Sequence, residues 1–224
     1  MKDLTLRLLI VIAILVIFLI IGLFAVIYAT KTFNSELQAT IAAQDAEIEA
    51  LEKKNAELQV IVDEVEKAET AIETVNPNAT KEEVFILAVR QVGKARKYKI
   101  PRELITYRDW AEADLRWLDA TKKGPCGEHS TAQVWRPTFR VLRPNGDYND
   151  MDQVYDAGTQ YLADCYRTAQ RWLGDADKTA VYRLTLAFYN AGMGHRPDAA
   201  LYKARVHVRR VEGIFAKAEK LGVA

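Results

Sequence analysis

Glu112 is the residue of this 224-residue chain best suited to acid–base chemistry. It falls about three turns into a helix that Pro101 is suited to open, among Trp110, Ala111, Ala113, Leu115 and Trp117. A carboxyl group in an apolar cleft has its charged form disfavoured, so its pKa rises and it can donate a proton near neutral pH. Taken alone, a Glu on a helix is more often a surface residue than a catalytic one. Other chemistries have little to work with. His129, His195 and His207 are scattered and neither Cys126 nor Cys165 has a ligand-spaced partner, so no metal and no cofactor are expected. His129 beside Glu128 reads as a loop pair, and no Gly-rich loop leads to a Lys with Ser or Thr to cradle phosphate. What one neutral carboxyl can do is break a glycosidic bond: it protonates the leaving oxygen, then as carboxylate takes a proton from the attacking hydroxyl.

Three segments follow Glu112 in a particular order: GEHSTAQVWRPT (Gly127 to Thr138), AGTQYL (Ala157 to Leu162) and LAFYNAG (Leu186 to Gly192). This order resembles the soluble lytic transglycosylase domain, a relative of goose-type lysozyme that cuts the glycan strands of peptidoglycan. In that family a helix opened near a Pro carries the catalytic Glu, followed by Ser. A Gly-Leu-Met-Gln-like turn leads to a Pro and Thr helix, then come a Gly-x-x-Tyr-Leu helix and a Tyr-Asn-Ala-Gly segment lining the cleft. Glu112 matches the catalytic acid, Gln133 the Gln of the turn, Thr138 the Thr after it, and Gly158, Tyr161 and Leu162 the helix; Tyr189, Asn190, Ala191 and Gly192 match the last motif. The resemblance spans Val84 to Leu221 and leaves out the first third of the chain.

The chain departs from the pattern at Ala113, where the family has Ser, and at Ser130-Thr131-Ala132-Gln133, where it has Gly-Leu-Met-Gln. The first change removes a polar contact near the reaction centre; the second enlarges one wall of the cleft. The resemblance implies a lyase in which the sugar's own C6 hydroxyl attacks, leaving 1,6-anhydromuramoyl ends, with Tyr189 and Asn190 positioning Glu112 or the acetamide. The same residues also read structurally, Tyr189 as core and Asn190-Ala191-Gly192 as a helix C-cap. A hydrolytic lysozyme needs a second carboxylate to direct water. Asp109, Asp114 and Asp119 are near in sequence, but Asp109 and Asp114 point away from the Glu112 face and Asp119 is unplaced, so transglycosylation ranks first. The rival of another class is a structural or assembly protein whose lysozyme-like domain binds glycan without cutting it.

The elements that must hold these residues are helical throughout. Val84, Leu87, Ala88, Gln91 and Val92 share one face. From Met151, Val154, Tyr155, Gly158, Tyr161, Leu162, Cys165, Ala169 and Trp172 recur at steps of three and four until Gly174. Two more helices are expected over Lys178–Tyr189 and Val206–Leu221, with a loop through Pro197 between them. No stretch alternates with period two, so the fold class is all-α, with five or six short helices in a lysozyme-like domain over 77–224.

Ahead of that domain lies a stalk, 32–76. From Phe33 to Val75 there is no Pro or Gly, and Leu37, Ile41, Ile48, Leu51, Leu58, Val62, Val65 and Ile72 mark a seam with heptad spacing. Asn55 at an a position favours a parallel dimer, so a homo-oligomer is expected. Glu36 to Glu83 carries thirteen acidic and four basic side chains, a solvated face. Asn76-Pro77-Asn78 breaks the pattern, and Thr80 with Glu83 forms a capping box that opens the domain.

The first segment, 1–31, reads as a retained anchor. Leu8 to Ala29 carries no charge and spans about 33 Å as a helix, enough to cross a lipid bilayer through residues 8–29. Lys2 and Arg7 precede it and Lys31 alone follows closely, which places the N-terminus in the cytoplasm and the rest in the periplasm. In that oxidising compartment Cys126 and Cys165 can bridge, or Cys165 can stay a buried thiol on its apolar face. The formal net charge of +1 offers no basic excess for nucleic acid. Whether the setting is host wall, secretion machinery or a virion is left open.

Overall fold

The computed structural model describes residues 2–113, 128, 130–174 and 176–221. Among them the regular structure is helical, with no strand: α1 (Lys2–Val75), α2 (Lys81–Tyr98), α3 (Arg102–Ala113), α4 (Arg136–Leu142), α5 (Met151–Leu173), α6 (Lys178–Ala191), α7 (Pro197–Lys203) and α8 (Arg205–Leu221). The chain divides into two compact units, 1–59 and 60–224.

The first unit is the greater part of α1. From Phe33 onward an uninterrupted run rich in Glu, Ala, Gln, Lys and Leu, with no Pro or Gly, favours the helix by propensity. Its apolar stretch is long and apolar enough to cross a membrane, a property that an N-terminal signal sequence shares. Beyond that stretch Leu37, Ile41, Ile48, Leu51 and Leu58 each stay about half exposed, between 47 and 58 %. They form an apolar stripe on an otherwise acidic helix.

The second unit begins inside α1. Ala68, Ala71 and Ile72 are at most 2 % exposed and Val65 packs against the same core. The seam expected to run on through Val65 and Ile72 is thus consumed by the chain's own core. The expected break at 76/77 is real as a helix end, with the Asn76 N–H donating to the Ile72 carbonyl at 2.8 Å, but the compact unit extends back past it to Val60. Thr80 then caps α2: its hydroxyl accepts from the Glu83 N–H at 3.3 Å, and the Glu83 carboxylate accepts from the Thr80 N–H at 2.7 Å.

Asp150 caps α5 through Asp152 and Gln153, and Gly174, at φ +58°, ends it. Pro197 opens α7 where a loop was expected, because its fixed φ and missing N–H suit the first helical position. One main core draws on α1, α2, α3, α5 and α8, and a second knits α5, α6 and α7 around Phe188, Leu184 and Ala169. Asp156 on α5 ties the helices together by accepting from Lys94 (2.5 Å) and Lys97 (2.8 Å) of α2 and from Arg143 (2.5 Å) after α4. Three cations on one carboxylate hold its pKa far below the ordinary value against the cost of burial.

Candidate active site

A cleft of about 550 Å³ in the second unit is lined by Glu112, Glu128, Gln133, Val134, Trp135, Thr138, Tyr161, Tyr189, Asn190, Ala191 and Gly192. All six side chains singled out from the sequence, Glu112, Gln133, Thr138, Tyr161, Tyr189 and Asn190, meet there. They arrive from α3, from the turn before α4, from α4 itself, from α5 and from the end of α6.

The turn is the tightest piece of construction. Ser130 and Gln133 both hold positive φ, +67° and +46°, a strained choice for residues with side chains. Local bonds offset the strain: the Gln133 backbone N–H and side-chain amide both donate to the Ser130 carbonyl, at 3.0 and 2.8 Å, and the Ser130 hydroxyl accepts from the Ala132 N–H at 3.1 Å. Two tyrosines then clamp the turn from outside. Tyr189 donates to the Ala132 carbonyl at 2.6 Å, and Tyr148 donates to the Val134 carbonyl. Gly158 on α5 gives the turn its seat, since a Cβ there would lie 2.7 Å from Ala132 Cβ and 2.6 Å from Val134 Cγ2.

The Tyr189 hydroxyl is therefore committed to the turn and not to Glu112 or a ligand. Its ring also packs at 5.4 Å from the Tyr161 ring and lies under the Arg108 guanidinium at 5.9 Å. Burial pushes the Tyr161 phenol up to about 12, so it stays a neutral donor at working pH. Asn190 is the last but one residue of α6 and is exposed, while Gly192 takes the cap at φ +97°, its N–H donating to the Phe188 carbonyl at 2.8 Å. Helix cap and cleft wall are here one structure.

Glu112 sits near the end of α3 with its side chain 16 % exposed. Burial pushes its carboxyl up to about 7; Glu128 and Asp109 reinforce the rise, while Arg108 and Arg210 oppose it. Beneath it, one helical turn back, Arg108 and Asp109 form an ion pair at 2.6 Å with neither side chain exposed. Asp109 also accepts from Gln91 (2.9 Å) and Tyr155 (2.7 Å), and Arg108 donates to Thr159 at 3.2 Å. Asp109 thus faces the core rather than the cleft, a burial that the sequence, which set it only off the Glu112 face, does not announce; Asp114 and Asp119 lie outside the described residues.

Two groups acting on Glu112, one in the cleft and one behind it on α8, escape sequence reasoning. Glu128 supplies the second carboxylate that the neighbouring aspartates do not. His207 on α8 brings Nε2 to 3.6 Å from Glu112 Oε1, its side chain 10 % exposed. That distance is too long for a hydrogen bond, and Nε2 has no partner of its own among the described residues. Burial, helped by Arg210, lowers the imidazole to about 4, so it is neutral and the two do not form a salt bridge at neutral pH. Cys165 is a free, fully buried thiol; the expected bridge to Cys126 lies outside the described residues, as do His129 and the side chain of Ala113.

Chemically the cleft offers a neutral carboxylic acid, a second carboxylate, amide and phenol donors, and the exposed indole of Trp135, which suits the polar edges and apolar faces of a sugar. No family model, curated protein or solved structure matches this chain.

Proposed function

We propose that the chain is a membrane-anchored peptidoglycan lytic transglycosylase that cuts the MurNAc–GlcNAc bond. The observation that carries this reading is the convergence of Glu112, Gln133, Thr138, Tyr161, Tyr189 and Asn190 on one cleft around a carboxyl still protonated near pH 7. Glu112 gives its proton to the glycosidic oxygen as the C1–O bond breaks. The resulting carboxylate takes the proton of the C6 hydroxyl as the C6–O–C1 bond closes, leaving a 1,6-anhydro end and a Glu112 ready for another cycle. Residues 8–29 anchor the protein in the cytoplasmic membrane with the N-terminus inside, and the stripe from Leu37 to Leu58 pairs copies in parallel to present the domain to the wall.

Glu128 supports a second outcome at the same cleft. A carboxylate there can direct water instead of leaving the C6 hydroxyl as the attacker, which makes the enzyme a hydrolase. The full chain in detergent micelles, incubated with purified peptidoglycan beside Glu112→Gln, separates the readings by mass spectrometry. Anhydro ends lost in the variant support transglycosylation, and reducing ends support hydrolysis. No release by a folded wild type refutes both and favours a glycan-binding or assembly role.

A further inference from the structure

His207 belongs to none of the cleft-lining segments, yet it lies beside the carboxyl that the proposed chemistry needs. Its Nε2 lies 3.6 Å from Oε1 of Glu112, is shut off from solvent and has no hydrogen-bond partner among the described residues. A buried polar nitrogen without a partner is costly, so its position calls for a state of the molecule in which it is satisfied. A contraction of roughly 0.6 Å brings it to hydrogen-bond distance.

We propose that His207 is a positioning residue for Glu112: its neutral imidazole donates from Nε2 to Oε1 when the carboxyl ionises, and so turns the other oxygen toward the cleft. The inference deepens the glycan-cleaving reading and takes its catalytic meaning from it.

The electrostatics fit a neutral donor. The groups acting on the pair are Arg108 and Asp109 from α3, Arg210 from α8, Glu128 from the segment before α4 and Tyr189 from α6. Arg108 is balanced by Asp109 at 2.6 Å. Arg210 bears on both members, and with burial it holds His207 to about 4 and so denies it a second proton. Between about pH 4 and 7 the pair is therefore uncharged, with the acid proton on Glu112 and a single N–H on the imidazole. That arrangement matters for a carboxyl that must give a proton and then take one. An imidazolium beside it would trap the carboxylate in an ion pair and hinder protonation, whereas a neutral N–H steadies the carboxylate and still lets it accept the next proton.

The test uses the full chain in detergent micelles with 13C at the Glu side-chain carboxyls, the Glu112 signal being the one lost in Glu112→Gln. The wild-type signal titrates near pH 7. In His207→Phe, and in His207→Leu as an independent apolar replacement, the midpoint rises by about one pH unit because the carboxylate loses a donor. His207→Gln, whose amide can donate from the same place, keeps the midpoint near the wild-type value. Turnover of peptidoglycan at pH 6 falls about tenfold in the apolar variants with KM within about twofold, and Gln restores most of it.

A midpoint that stays put or falls in the apolar variants overturns the proposal, and a fall identifies His207 as acceptor from the acid form instead. A shifted midpoint in a chain that releases no glycan fragments leaves the positioning contact standing and removes the glycan-cleaving reading. Fragment release with an unmoved midpoint does the reverse.

Discussion

Replacing Glu112 by Gln removes an ionisation that the fold resists, and the consequence for stability has a definite sign. In the folded chain the carboxyl holds its proton up to about pH 7, whereas unfolded it loses it near 4.5. Between those values the folded state binds more proton than the unfolded state, so the Glu112 contribution falls as pH rises, with a slope of up to about 1.4 kcal/mol per pH unit. By pH 8 the group is ionised in both states, and the wild type carries a cost of about 3 kcal/mol that Gln, with the same shape and no charge, does not. His207 works in the opposite direction, its contribution being lost as pH falls through 6.5 toward 4, but it is present in both proteins and largely cancels in their difference. Urea unfolding of wild type and Glu112→Gln at pH 4.5, 6, 7 and 8, followed by tryptophan fluorescence in one detergent, yields that difference. It should grow from near zero to about 3 kcal/mol in favour of Gln. A difference that is constant across the range, or that shrinks with pH, refutes the burial argument for Glu112 and with it the neutral acid on which the proposed chemistry depends.

Other perturbations test the surrounding construction. Gly158→Ala places a methyl within 2.7 Å of Ala132 and Val134 atoms, so it should destabilise the second unit by about 1–3 kcal/mol in urea unfolding and weaken the proposed glycan cleavage by shifting Gln133. Arg108→Met leaves the buried Asp109 carboxyl without its cation, and should cost about 3–5 kcal/mol, while adding Asp109→Asn should recover part of that loss. Leu51→Lys with Leu58→Lys puts charges into the half-exposed stripe of α1 and should shift the chain toward monomer in analytical ultracentrifugation, with thermal unfolding of the second unit unchanged.

Local signals carried much of the helical fold. The capping box at Thr80 and Glu83, the three-and-four recurrence from Val154 to Trp172 and the stop at Gly174 are all written within a few residues of where they act. The cleft members were found because four short segments each keep a recognisable local pattern. What escaped depends on distance. Asp109 is buried by Gln91, Tyr155 and Arg108, two of them far off in sequence, and nothing around RDWAEA announces it. His207 sits in the plain amphipathic repeat VHVRRV, and only the packing of α8 on α3 brings it to Glu112. Glu128 lies in a segment without periodicity, beside a histidine that made it look like half of a loop pair. The end of α1 misled for a different reason: the apolar spacing that suits a coiled-coil seam suits a core face equally, and Ala68 and Ile72 were claimed by the core.

That last feature governs how the protein can be shortened. Cutting at the Asn76-Pro77-Asn78 break looks natural, but it deletes Ala68 and Ile72 from a core they share with Val84, Leu87 and Leu104. It also severs the pairing of Arg96 with Glu64 at 2.9 Å. A fragment trimmed there carries a wetted apolar trough and is prone to aggregate, whereas one starting before Val60 keeps its own plug. The residues just upstream of the break thus serve as an intramolecular stopper, and any soluble, assayable version of this protein has to retain them.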